Sequence, residues 1–79
     1  MAEMRRVRRV EARGTLCPVP TVMASLVLET MSPGQVIDLY ADDPTTRRDL
    51  AGWCAEFGHL VLGIVELRQG FRVRIQKKP

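Results

Sequence analysis

Aromatic side chains are scarce in this chain: one tryptophan, one tyrosine and two phenylalanines among 79 residues. So small a set leaves little surface on which bases could stack, which counts against a platform for single-stranded nucleic acid. Histidine occurs once, as His59, and cysteine twice, as Cys17 and Cys54. Two thiols that far apart form neither a C-x-x-C redox pair nor a zinc knuckle. With a single histidine and no clustered thiols, no metal site is expected. No apolar run is long enough to span a bilayer and the start lacks a signal-peptide pattern, so the expectation is a cytoplasmic protein with no membrane association. Other catalytic patterns are missing as well. There is no Ser-His-Asp set, no phosphate-cradling glycine loop and no carboxylate pair on one predicted helix face, and no cofactor bound by the chain is expected.

What is present describes a small folded unit. A hydrophobic content of 46% argues against disorder. The length predicts one domain over residues 1–79, close to the size at which a single core is marginal, with residues 1–4 frayed. The formal net charge is +3, and Arg5, Arg6, Arg8, Arg9 and Arg13 crowd the N-terminal end while Lys77 and Lys78 stand at the other. Such a cluster suits phosphates or an acidic protein surface, or is simply a solvated face.

Along the chain, Met4–Ala12 reads as an edge strand whose arginines discourage sheet-to-sheet pairing. Pro18–Met31 reads as the first helix, with Val22, Met23, Leu26 and Val27 at helical spacing. Ala24, Leu28 and Met31 are apolar too, leaving only Thr21, Ser25, Glu29 and Thr30 polar. A helix covering a small sheet needs one buried stripe, so the surplus predicts a docking surface, with Leu16, Val19, Met23 and Arg9 as candidates. Ser32–Pro33–Gly34 ends this helix, and Gln35–Ala41 is a strand with Ile37, Leu39 and Ala41 on one face. Asp43 as N-cap and Pro44 at the first position begin a second helix, whose Leu50, Trp53, Cys54 and Phe57 form a buried stripe before Gly58 stops it. His59 reads as a C-terminal cation or a polar strand-start residue. Leu60–Arg68 and Phe71–Lys77 are the last two strands, joined at Gln69–Gly70. The order β-α-β-α-β-β, with right-handed crossovers, predicts an α+β fold: a two-layer α/β sandwich of a four-stranded mixed sheet with two helices on one face.

One stretch carries the chemistry. In Arg13–Gly14–Thr15–Leu16–Cys17–Pro18–Val19–Pro20, Pro18 biases Cys17 toward extended backbone and suits the first helical position, which makes Cys17 the expected N-cap. Pro20 still falls in the first turn, whose donors have no intrahelical acceptor. A thiol at the positive end of a helix dipole is expected to favour the thiolate. Arg13 would add positive charge, and Gly14 would give the turn its freedom. Cys54, on the buried stripe, is read as core. Cys17 is therefore the candidate nucleophile, with Arg13, Gly14, Pro18, Pro20 and Asp43 in supporting roles.

Gly14–Thr15–Leu16–Cys17–Pro18–Val19–Pro20 resembles the Cys-Pro-x-Pro signature of the TusA-like sulfur-carrier family. Met31–Ser32–Pro33–Gly34, Ala41–Asp42–Asp43–Pro44, Arg48–Asp49–Leu50, Trp53–Cys54 and Gly58–His59 continue the likeness in order over residues 10 to 77. Glu11 stands where the family usually has Asp, Thr15 where it usually has Leu, and the first helix lacks the basic residues common after the motif. The resemblance implies the same two-layer fold and a sulfurtransferase that carries sulfane sulfur as a persulfide on Cys17. It further implies a cysteine desulfurase or rhodanese as donor, with PLP on that partner, and a downstream relay protein as acceptor, most often toward tRNA thiolation. The alternatives are an RNA-binding module, given the arginines, or a regulatory domain that uses Cys17 as a switch without sulfur transfer.

Overall fold

The computed structural model describes residues 7–79. The frayed start expected for residues 1–4, and the beginning of the first strand at Met4, lie outside the described residues. The elements are β1 (Val7–Glu11), α1 (Val19–Glu29), β2 (Val36–Ala41), α2 (Pro44–Phe57), β3 (Leu60–Glu66) and β4 (Phe71–Gln76). One four-stranded mixed sheet has the order β1-β2-β4-β3, with β1 parallel to β2 and the other pairs antiparallel.

Alternation along the strands divides the sheet into two faces. Val10, Ile37, Leu39, Ala41, Phe71, Val73 and Ile75 are all buried, and they share one core with Ala24 and Leu28 of α1 and Leu50 and Cys54 of α2. The intervening positions carry Arg9, Asp38, Tyr40, Arg72 and Arg74 on the opposite face. There Asp38 accepts from Arg74 through both oxygens at 2.8 Å, with Arg72 Nε at 3.8 Å. This is the expected α+β sandwich, and β1 is the expected edge, with Arg8 and Arg9 exposed along it.

Each helix start follows from its sequence. Asp43 caps α2 by accepting the Thr45 N–H at 3.1 Å, and Gly58 ends it in the left-handed region at φ 83°. In the hairpin turn before β4, Gly70 has φ 94°, and a Cβ there would collide with the carbonyl oxygen of Ala41.

Four expectations need correction. Helix α1 starts at Val19 and ends at Glu29, so Pro18 occupies the N-cap position and Pro20 lies inside the first turn. Met23 packs partly buried against the core, whereas Val22 and Leu26 are half exposed, so the spare apolar face runs Leu16, Val19, Val22, Leu26. Phe57 is 51% exposed and stacks on the half-buried Trp53 at 5.6 Å instead of entering the core. Thr46, fully buried, fills the inner face of α2 one turn before Leu50. Strand β3 stops at Glu66 and is exposed at all seven positions, because it lies at the sheet edge, paired to β4 on one side only. A register shift between Val61 and Gly63 bends this edge, a device that disfavours pairing with another strand.

Candidate functional site

The parallel pairing of β1 with β2 brings the loops that follow them to the same end of the sheet. The ladder continues past Glu11, where the Ala12 N–H donates to Tyr40 O at 2.7 Å. Beyond it the first loop folds back on itself, with the Thr15 N–H and hydroxyl both donating to Ala12 O. Two consecutive aspartates of the second loop then hold it. The Gly14 N–H donates to both oxygens of Asp42, at 3.0 and 3.2 Å, and the Cys17 N–H donates to Asp43 Oδ2 at 2.7 Å. Gly14 has φ 87°, a conformation that side chains rarely adopt, which gives it the turn role expected of it.

Leu16–Val19 is a tight turn, closed by the Val19 N–H donating to Leu16 O at 2.9 Å, and its Cys17–Pro18 peptide bond is cis. The first helical carbonyl is that of Pro18, which accepts from Val22 at 3.0 Å. Cys17 therefore sits one residue ahead of the N-cap position, half-buried and with a free thiol.

The surroundings of the sulfur differ from the expectation of a favoured thiolate. Its Sγ donates to a carboxylate oxygen of Asp49, which lies on α2 just before Leu50. That hydrogen bond, then burial, then the negative charges of Asp49 and Asp43 push the Cys17 thiol above its ordinary value. Arg13 adds no positive charge to the sulfur. Its guanidinium is forked onto Glu11 with two contacts of 2.8 Å, and it lies over Tyr40 at 5.3 Å. The pairing pulls the Glu11 carboxyl down to about 2. Two acids, Asp43 and Asp49, thus outweigh the helix end.

Of the residues singled out from sequence, Cys17, Gly14, Pro18, Pro20 and Asp43 come together. Arg13 and Arg9 turn to the open sheet face, where Arg9 stacks on Tyr40 at 4.1 Å. Pro20 is buried and anchors the start of α1 in the core, while Leu16 is 73% exposed beside the cysteine. Asp49 was not among the candidates. It shares the inner helical spacing of Thr46, Leu50 and Trp53, and a single acid on an otherwise buried stripe is the signal that marks it. Cys54 is 1% exposed, and burial pushes its thiol up to about 11. His59 is an acceptor rather than a cation, taking the Lys78 N–H at 3.0 Å, and burial, with Lys78 and Lys77 nearby, holds its pKa down. Among the described residues no group of three or more histidine, cysteine or acidic side chains could hold a metal ion, and no helix is long and apolar enough to cross a membrane.

A two-layer α+β sandwich that presents one free thiol on a turn ahead of its first helix defines a class of small thiol-bearing domains. Within that class the chain belongs to the sulfurtransferase TusA family, whose model matches residues 8–77. A Thermotoga maritima protein named as a sulfur carrier is 31% identical over 67 residues, 85% of each chain. An Aquifex aeolicus protein named likewise is 32% identical over 78 residues, 99% of this chain and 39% of that relative's length. The SirA-like protein of Desulfitobacterium hafniense has the same fold, with a TM-score of 0.80 at 22% identity over 94% of this chain and 100% of that one.

Proposed function

We propose that this protein is a sulfur carrier that accepts sulfane sulfur as a persulfide on Cys17 and hands it to an acceptor protein. The observation that carries the reading is the position of Cys17: a free, half-buried thiol on a pinned turn, flanked by the exposed apolar side chains of Leu16, Val19, Val22 and Leu26. A thiol without its own base can accept and donate a group when its partners supply the remaining chemistry. The exposed apolar stripe beside it gives those partners a surface to grip.

In the proposed cycle the sulfur of Cys17 attacks the outer sulfur of a donor persulfide. The Cys17 sulfur–sulfur bond forms, the donor's sulfur–sulfur bond breaks, and the donor leaves as a thiol. Sulfane sulfur moves without net oxidation. The donor in this reading is a cysteine desulfurase, with PLP on that enzyme, or a rhodanese. The acceptor is a downstream relay protein, in tRNA thiolation or a related sulfur-trafficking route, and the cycle runs in the cytoplasm. Direct RNA binding draws less support, because Arg72 and Arg74 are turned onto Asp38, Arg13 onto Glu11, and Arg9 covers the ring of Tyr40.

Incubation with a cysteine desulfurase and cysteine, followed by intact-mass measurement, tests the proposal. The wild type gains the mass of one sulfur atom, Cys54→Ala gains the same, and Cys17→Ser gains nothing. Loading of Cys17→Ser equal to the wild type rejects the assignment.

A further inference from the structure

The sulfur that must act as a nucleophile is held against a carboxylate, the opposite of what an always-ready thiolate needs. Cys17 donates through Sγ to Asp49 and through its N–H to Asp43. The charged groups acting on the sulfur, Asp49 and Asp43, are both acids of the loop and helix packed against it. Asp43 is already committed, since its Oδ1 caps α2 and its Oδ2 fixes the Cys17 backbone. Among the described residues the Asp49 side chain hydrogen-bonds only to the sulfur, and it is half-buried rather than solvent-facing.

We propose that Asp49 is a latch on the carrier cysteine: it holds Cys17 as a thiol in the free chain, and a cationic side chain of the docking sulfur donor releases it by pairing with Asp49. The latch rests on the carrier reading for its purpose, though not for its chemistry. With Asp49 paired to a cation, the thiol proton passes to water and the sulfur becomes a thiolate. That thiolate attacks the outer sulfur of the donor persulfide, and the donor sulfur departs as a thiolate that regains a proton from water. Protons and electrons balance with no added oxidant. The device keeps the free carrier inert toward stray electrophiles and oxidants, which react with thiolate rather than thiol. It also predicts the donor's chemistry: a lysine or arginine next to its persulfide, set among apolar residues that meet Leu16 and Val19.

The test is the pH dependence of Cys17 alkylation by iodoacetamide, read at Cys17 by mass spectrometry on chains shown to be folded by circular dichroism. Asp49→Asn is expected to move the midpoint to lower pH and to speed alkylation near pH 7 by about tenfold for each pH unit of that move. Asp49→Glu, which keeps the charge, is expected to stay near the wild type. A second measurement needs no variant: the wild-type midpoint is expected to be higher in the folded chain than in the same chain in denaturing urea. An unchanged midpoint in folded Asp49→Asn, or a folded wild-type midpoint at or below the unfolded one, overturns the latch. Loading by a cysteine desulfurase is expected to weaken with salt more steeply for the wild type than for Asp49→Asn, and equal salt dependence overturns the cationic release. Failure of the wild type to load at all rejects the carrier reading and leaves the alkylation result standing.

Discussion

Asp43 does two jobs with one side chain, and removing it gives the sharpest prediction. Its Oδ1 accepts the Thr45 N–H at 3.1 Å and caps α2, while its Oδ2 accepts the Cys17 N–H at 2.7 Å and ties down the cysteine turn. Loss of an N-cap costs about 0.5–2 kcal/mol. Loss of a charged acceptor from a half-buried N–H costs about 1.5–3 kcal/mol. For Asp43→Ala the two together come to about 2–5 kcal/mol. That is a large share of the roughly 4–12 kcal/mol expected for a chain of this size. At roughly 4–8 °C per kcal/mol for a small domain, Tm is expected to fall by about 8–40 °C. Asp43→Asn is expected to lose about half as much, because asparagine caps nearly as well but its single oxygen cannot accept both N–H groups. Urea titration followed by circular dichroism measures both. A loss below about 0.5 kcal/mol for Asp43→Ala would refute the claim that this carboxylate joins the two loops.

Leu28, 2% exposed, and Leu26, 59% exposed, lie two positions apart on α1 and are expected to separate stability from docking. Leu28→Ala should cost about 2–5 kcal/mol in denaturation. Leu26→Ala should stay within about 0.5 kcal/mol of the wild type and instead slow sulfur loading from a donor. Acid should destabilise the fold through Asp38, whose carboxyl is held low first by its hydrogen bonds to Arg74, and through Glu11, held at about 2 by Arg13. Because both folded pKa values are depressed, their contribution is complete above the ordinary carboxylate range and is lost as pH falls toward about 2. Urea midpoints measured across that range should drop, and Asp38→Asn should flatten the curve. His59 acts in the same direction at higher pH. Its folded pKa lies below the ordinary 6.5, so its contribution is present above 6.5 and declines as pH falls through the folded value, and the decline should vanish in His59→Gln.

The fold was legible because its signals are local and repeated. Phe71, Val73 and Ile75 alternate with Arg72, Arg74 and Gln76, and Asp43–Pro44 announces a helix in two residues. The unread parts depend on neighbours that spacing cannot name. Phe57 continues the apolar stripe of α2, yet it lies at the last turn, beyond the edge of the core, and lines an open cavity of about 290 Å³ with Trp53 and His59. Leu60, Val61, Leu62, Ile64 and Val65 form an apolar strand run with no alternation to mark a covered face, and the sheet order leaves β3 at the edge with all five exposed. Lys77 reads as the end of the last strand and one of two neighbouring lysines, and its Nζ donates to Met31 O at 2.6 Å beyond the C-terminal end of α1. The charge around Cys17 was misjudged for the same reason. A helix dipole can be read from the adjacent sequence, whereas Asp49 is 32 residues away.

The tie between cysteine loop and capping aspartates follows from the direction of one strand pairing. Had β1 run antiparallel to β2, the loops after them would lie at opposite ends of the sheet, and Asp42 and Asp43 would face nothing from the first loop. Parallel pairing places both strand C-terminal ends together, which is where open α/β sheets characteristically build their sites. A cysteine whose position is set by α2, while its apolar surroundings come from α1, can be gripped on one helix and controlled from the other. In the proposed cycle Leu16, Val19, Val22 and Leu26 would decide which partner surfaces fit, and Asp43 and Asp49 would decide how the thiol behaves once one arrives. Substitutions on the first set should alter the affinity of loading and leave the pH profile of Cys17 unmoved, while Asp49→Asn should move that profile and flatten the salt dependence of loading.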